Sequence, residues 1–174
     1  MPTTVANKQR TAKIDRRWIA SQVRKLLKLL GCPGEDLSVL LVDDDLMAEL
    51  NGRYRAERRP TDVLAFPMRG GAFPEHAKGL LGDVVISVET ARRQARPRRP
   101  ARPNAPETIP PGEVRDGDPL GDEVLRLLIH GTLHLLGHDH ETRQAARTMR
   151  SKERRCLQAL GTPGKADLDE ERAM

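Results

Sequence analysis

Apolar positions recur along this chain at two periods. Ile19, Val23, Leu26, Leu27 and Leu30 fall on one side of a helix, with Asp15 placed to cap its start and Gly31 and Pro33 to stop it. Leu37 to Val42 is a short apolar run of strand length. Asp43, Asp44 and Asp45 follow, acids suited to the first turn of a second helix whose buried side is Leu46, Met47 and Leu50. Asn51-Gly52 is the expected stop. Asp62 to Phe66, closed by Pro67, and Gly82 to Ser87 read as two further strands, joined by a Gly-rich connection around Gly70-Gly71, and residues 88–96 as the start of a helix. Asp122 is in place to cap a helix that is apolar on most sides, from Val124 to Leu136, as a buried helix must be. A last helix is expected over Glu141 to Leu160, ended by Gly161 and Pro163.

Composition breaks this alternation once. Seven prolines lie from Pro97 to Pro119 and six arginines from Arg92 to Arg102, so residues 97–119 are expected to form a surface insertion rather than a helix or strand. The rest suits one domain over residues 13–160, with flexible termini at 1–12 and 161–174. The net charge of +5 is uneven: residues 1–103 hold 20 Lys/Arg against 12 Asp/Glu, and residues 104–174 hold 10 against 13. Arginine excess suits phosphate, but charge counts toward nucleic acid only when chemistry points the same way. Trp18, Tyr54, Phe66 and Phe73 are the only aromatics, too few for a base-stacking sheet. Cys32 and Cys156 have no metal-type spacing and read as reduced thiols. With no apolar segment after the basic start and no run long enough to span a membrane, a cytoplasmic location is expected.

The chemistry lies inside the buried helix. His130 and His134 are one turn apart on one face, and Gly137 can end the helix in a left-handed conformation, so that the chain turns back and brings in His140. Three neutral imidazoles from a helix and the following turn make a metal site with an open position for water or substrate. The donor set suits zinc best, though nickel, cobalt or iron could also occupy it; His138 stands beside the ligands rather than among them, and His76 reads as an ordinary surface residue. Asp139 and Glu141 are the nearby acids able to accept the outer N–H of a ligand. Zinc peptidases with this spacing carry Glu straight after the first His as general base; here that residue is Gly131. Arg55, with Arg53, Arg58 and Arg59, lies between a helix end and a strand start, and reads equally as part of a solvated cluster or as a functional arginine.

Three stretches together resemble the YbeY endoribonucleases of bacterial ribosomal RNA maturation. They are Leu50-Asn51 through Tyr54-Arg55 to the run Pro60–Pro67, then Leu81–Ser87, then His130-Gly-Thr-Leu-His134-Leu-Leu-Gly-His-Asp-His140. His138 stands where Tyr is common in the family and Ala65 where Ser is common, and the Pro/Arg-rich stretch is longer than usual. The resemblance implies an α+β fold, a small mixed sheet packed with helices and similar to a zincin-like metalloprotease core. It implies one zinc at His130, His134 and His140, and an important arginine at Arg55. It further implies a zinc-dependent endoribonuclease of single-strand type, acting on ribosomal RNA in 16S 3′-end maturation and ribosome quality control, with ribosomal particles as partners. Two other readings of the histidine run are a zincin-type metallopeptidase, opposed by Gly131, and a non-catalytic RNA-binding assembly factor with a structural metal.

Overall fold

The computed structural model describes residues 3–68, 79–95, 113–114 and 117–160. The connection at Gly70-Gly71, His76, residues 161–174 and most of the Pro/Arg-rich insertion lie outside the described residues. The element order is β1 (Thr4–Asn7), β2 (Lys13–Ile14), α1 (Arg16–Leu29), β3 (Asp36–Val42), α2 (Asp44–Arg55), β4 (Val63–Pro67), β5 (Leu80–Ser87), α3 (Val88–Gln94), β6 (Glu113–Val114), α4 (Pro119–Leu135) and α5 (Arg143–Ala159).

Four strands form one mixed sheet in the order β1-β3-β5-β4. β1, β3 and β5 run parallel, and β4 runs antiparallel to β5. Side chains alternate across a strand, and that alternation divides the core in two. Val39 and Leu41 of β3 and Val84 and Ile86 of β5 face the main cluster, which α1 and α4 complete with Val23, Leu26, Leu125, Leu128 and Leu133. Val42 and Val85 face the other way, into a smaller cluster with Leu64 of β4 and Met47 of α2. This is the expected α+β architecture, a mixed sheet covered by helices, with α4 packed on β4 and β5 and α5 packed on α4.

Three expectations change. Within the expected leader of residues 1–12, Thr4–Asn7 is a strand: β1 pairs with β3 from Thr4 opposite Ser38 to Asn7 opposite Leu41. Four residues at a sheet edge need no strong pattern of their own, because β3 supplies the ladder. Helix α2 does not stop at Asn51-Gly52 but runs to Arg55 and ends at Ala56, whose φ of 57° is left-handed. Asn51 is buried, and its Nδ2 donates to the Arg59 carbonyl at 2.8 Å, so this residue ties down the returning loop instead of ending the helix. Helix α4 is capped by Asp118 rather than Asp122, with Pro119 in the first turn, where a missing N–H costs nothing.

Candidate metal centre

Helix α4 is fixed at both ends. Asp118 Oδ1 accepts from the N–H groups of Leu120 (2.8 Å) and Gly121 (3.4 Å). At the other end the Gly137 N–H donates to His134 O at 3.0 Å and the His138 N–H to Leu133 O at 3.0 Å. That pair of bonds is the Schellman termination, and it requires the left-handed φ of 89° that Gly137 adopts. The chain therefore reverses directly beneath His134, and His140 returns to the exposed side of the helix.

The three expected ligands meet there. One ligand nitrogen from each of His130, His134 and His140 lies within 4.8 Å of the others, and no fourth residue joins this group among the described residues. His134 Nε2 stands 3.0 Å from His130 Nε2. Two nitrogens bound to one zinc at 2.0–2.1 Å with a tetrahedral angle stand about 3.3 Å apart, so this pair is already at coordination spacing. The His134 pKa is lowered by burial first, then by the positive fields of His130 and His140, while a hydrogen bond with the His138 backbone opposes the shift. A neutral imidazole is the form that donates a lone pair to a metal. The donor set fits a divalent ion, and the lowered pKa of His134 favours its ligand form.

His138 is outside the group, as expected. Lys152 Nζ approaches its Nε2 at 3.0 Å, and burial followed by this cation lowers its pKa. The carboxylate that supports the site is neither Asp139 nor Glu141. Asp139 Oδ1 accepts the Glu141 N–H at 3.1 Å within the turn. The partner of His130 Nδ1 is Glu153 Oε1, from α5, and both side chains are mostly buried. Sequence reading missed Glu153, which lies 23 positions from its histidine. A signal was present: Glu153 falls four after Met149 and three before Cys156, the buried residues of α5, so it is a lone acid on an apolar face. On α4, Arg126 pairs with the buried Glu123 at 2.7 Å, and its pKa, lowered by burial, is raised overall by Glu123, Asp62 and Glu153.

Gly131 faces away from the histidines, into the sheet. A Cβ there would stand 2.8 Å from Val84 Cγ1 and 3.2 Å from Val63 Cγ2. The position that bears the general base in zinc peptidases therefore has no room for any side chain. Arg55 is at the end of α2, not on a loop, and is exposed. Of its neighbours, Arg53 pairs with Glu49 and Arg59 with Glu57, both at 3.1 Å. Arg55 has no acidic partner among the described residues, and its charge is felt at His134, whose pKa it helps to lower.

The sequence model of the family described as Endoribonuclease YbeY matches residues 4–102 and 106–161. The chain belongs to the YbeY family. An Endoribonuclease YbeY of Syntrophus aciditrophicus (strain SB) is 37% identical over 155 residues, 88% of this chain and 86% of that protein. The YbeY of Aquifex aeolicus (strain VF5) is 41% identical over 134 residues, 77% of this chain and 75% of its own length. The solution structure of a Thermotoga maritima protein matches with a TM-score of 0.54 and 22% identity, over 91% of this chain and 88% of that one, a likeness of fold. The YbeY match begins at residue 4, where β1 begins, and takes in the whole histidine run.

Proposed function

We propose that this chain is a metal-dependent endoribonuclease that cleaves ribosomal RNA, with His130, His134 and His140 holding one zinc ion. The observation that carries the reading is the convergence of three histidine donors, with an arginine whose field reaches His134 and which has no acidic partner among the described residues, in a chain of the endoribonuclease YbeY family. Bound there, zinc supplies Lewis acidity and a water whose pKa falls toward about 7. The chain's own residues do the rest. His130 is held in one orientation by Glu153, and its Nε2 faces that of His134 at 3.0 Å. Arg55 donates to the phosphoryl oxygens and offsets the charge that develops on them in the transition state. Phosphoryl transfer rests on positioning and electrostatics, so a helix with glycine at position 131 suits it where peptide cleavage would lack its base. The biological substrate in this reading is the 3′ end of 16S rRNA, on ribosomal particles, with a part in ribosome quality control.

The test is cleavage of a 16S 3′-end fragment by wild type, His134→Ala and Arg55→Ala proteins, with and without a chelator and zinc add-back. An unstructured protein substrate runs in parallel. Cleavage of the RNA alone, lost in both variants and restored by zinc in the wild type, is the expected result. RNA cleavage that persists in both variants would remove the proposed site.

A further inference from the structure

The apolar side of helix α2 runs past the sheet that covers it. Met47 is buried and Leu50 half-buried, both in the cluster that Leu64 and Phe66 of β4 complete. Tyr54 lies four after Leu50, on the same side of the helix, yet is 61% exposed. Strand β4 is the edge of the sheet, so no described strand lies beyond it to cover the last turn of α2. The Tyr54 ring meets the Phe66 ring at 62°, with centroids 5.0 Å apart. Such an edge contact braces the ring and leaves a face open. Met68, two after Phe66 and so on the same face of the chain, is exposed too, and its N–H donates to Leu81 O at 3.1 Å. Leu29 is the only other large hydrophobic exposed among the described residues.

Two observations place this pair of rings beside the histidines. From α2, the residue next to Tyr54 is Arg55, whose charge is felt at His134. From β4, a Cβ added at Gly82 would strike the Phe66 carbonyl oxygen and stand 2.9 Å from Leu135 Cδ2. Phe66 therefore lies against the last turn of α4, where Leu135 follows His134. Resting on the endoribonuclease reading above, we propose that Tyr54, braced by Phe66, is a stacking post for one unpaired base of single-stranded RNA, beside the phosphate that Arg55 meets. A nucleotide matches both halves of this corner: a flat apolar face for the ring, and an anion for an arginine with no acidic partner among the described residues. A protein partner is less suited. A stable interface takes about 800 Å² from each side, whereas a tyrosine supplies about 150–250 Å², and its neighbours Arg53, Arg55 and Arg58 are exposed charges.

The test uses the zinc-loaded full chain and short single-stranded RNAs in which one base at a time is removed to leave an abasic ribose. Affinity is read by fluorescence anisotropy on 2′-O-methyl RNA, checked intact on a gel, and KM and kcat on cleavable RNA of the same sequence. Loss of one stacked base costs about 5- to 150-fold in affinity. Tyr54→Ala should weaken binding and raise KM by a factor in that range, with kcat changing far less, and Tyr54→Phe should restore both. In the wild type one abasic position should carry the same loss, and Tyr54→Ala should be indifferent to it, since ring and base are the two halves of one contact. Tyr54 is the only tyrosine of the chain, so 3-fluorotyrosine labelling gives a single fluorine resonance. It should shift with intact RNA and stay near its free position with that abasic RNA. If thermal scans show Tyr54→Ala misfolded, the abasic series on the wild type decides, and a series in which no position loses affinity overturns the post. A wild type that cleaves RNA, beside a folded Tyr54→Ala with unchanged affinity and KM, overturns the post alone. A fall in kcat with affinity unchanged would make Tyr54 a prop for Arg55 and overturn it as well. Altered sedimentation of the free Tyr54→Ala protein with RNA binding unchanged would assign the patch to a second copy of the chain, again overturning the post. A wild type that neither binds nor cleaves RNA overturns the endoribonuclease reading and the post with it.

Discussion

Replacing Glu153 should weaken metal binding without touching a ligand. Its carboxylate holds His130 Nδ1 from a second helix, and both groups are mostly shielded from water, with side-chain exposures of 17% and 26%. Glu153→Gln keeps an oxygen that can accept the Nδ1–H but loses the charge. Glu153→Ala loses both and frees the ring to rotate. Removing such a supporting partner costs about 10- to 100-fold in metal affinity, with Gln expected at the low end and Ala at the high end. At a fixed, saturating metal concentration this lowers the metal-induced stabilisation by about 1.4 kcal/mol for Gln and about 2.7 kcal/mol for Ala. For a domain of this size, about 2–4 °C of Tm accompanies each kcal/mol. The assay is zinc titration against a competing chelator, with thermal scans of each protein with and without zinc. The metal-free scan is each variant's own baseline, so the change in the zinc-induced shift isolates the metal term from any loss of packing between α4 and α5. A Glu153→Ala protein that binds zinc within twofold of wild type would show that His130 needs no support from α5.

Arg55→Ala should leave zinc affinity unchanged and lower kcat for RNA cleavage by about 10²–10³, the usual cost of one charge-stabilising donor; an unchanged kcat would remove Arg55 from the chemistry. Gly131→Ala should destabilise by about 1–3 kcal/mol through overpacking against Val84 and Val63, read as a fall in the denaturant midpoint. Gly137→Ala meets no atom within 4 Å and should cost about 1–2 kcal/mol for its left-handed backbone alone. The pH dependence follows from His134. Its folded pKa lies below its unfolded value of about 6.5, so the unfolded chain takes up a proton first as the pH falls. The metal-free protein should therefore lose stability from about pH 6.5 downward, and His134→Gln should flatten that part of the profile in urea titrations; an unchanged profile would contradict the assigned shift.

What sequence could disclose here depended on how local each cause was. The histidine site is built from residues within eleven positions, and every term that makes it is local: the helical repeat between His130 and His134, the left-handed glycine and the return of His140. Strands β3, β4 and β5 carry their burial in their own alternation. The misses have distant causes. β1 exists because β3 offers it an edge, and Asn51 is structural because Arg59 comes back to it. Glu153 acts on a histidine one helix earlier. The α4 cap is a different kind of miss: Asp118-Pro119 is a stronger start than Asp122, because proline is suited to the first helical position, and that signal was local and legible.

Helix α4 also explains why this metal site is suited to phosphate rather than peptide. Its two functional sides are one residue apart in sequence. His130 must face outward to meet His134 and His140, which turns position 131 about 100° round the helix and into Val63 and Val84 of the sheet. A glutamate at 131 would need either a shifted helix or an opened sheet, and both would move the histidines. The glycine that removes a peptidase's base is thus also what lets α4 lie close enough to β4 and β5 to fix its histidines. Groups that handle substrate charge have to come from elements beside the helix. The cation whose field reaches His134 is Arg55, from the end of α2, and in the proposed reading it serves a phosphodiester better than a peptide bond.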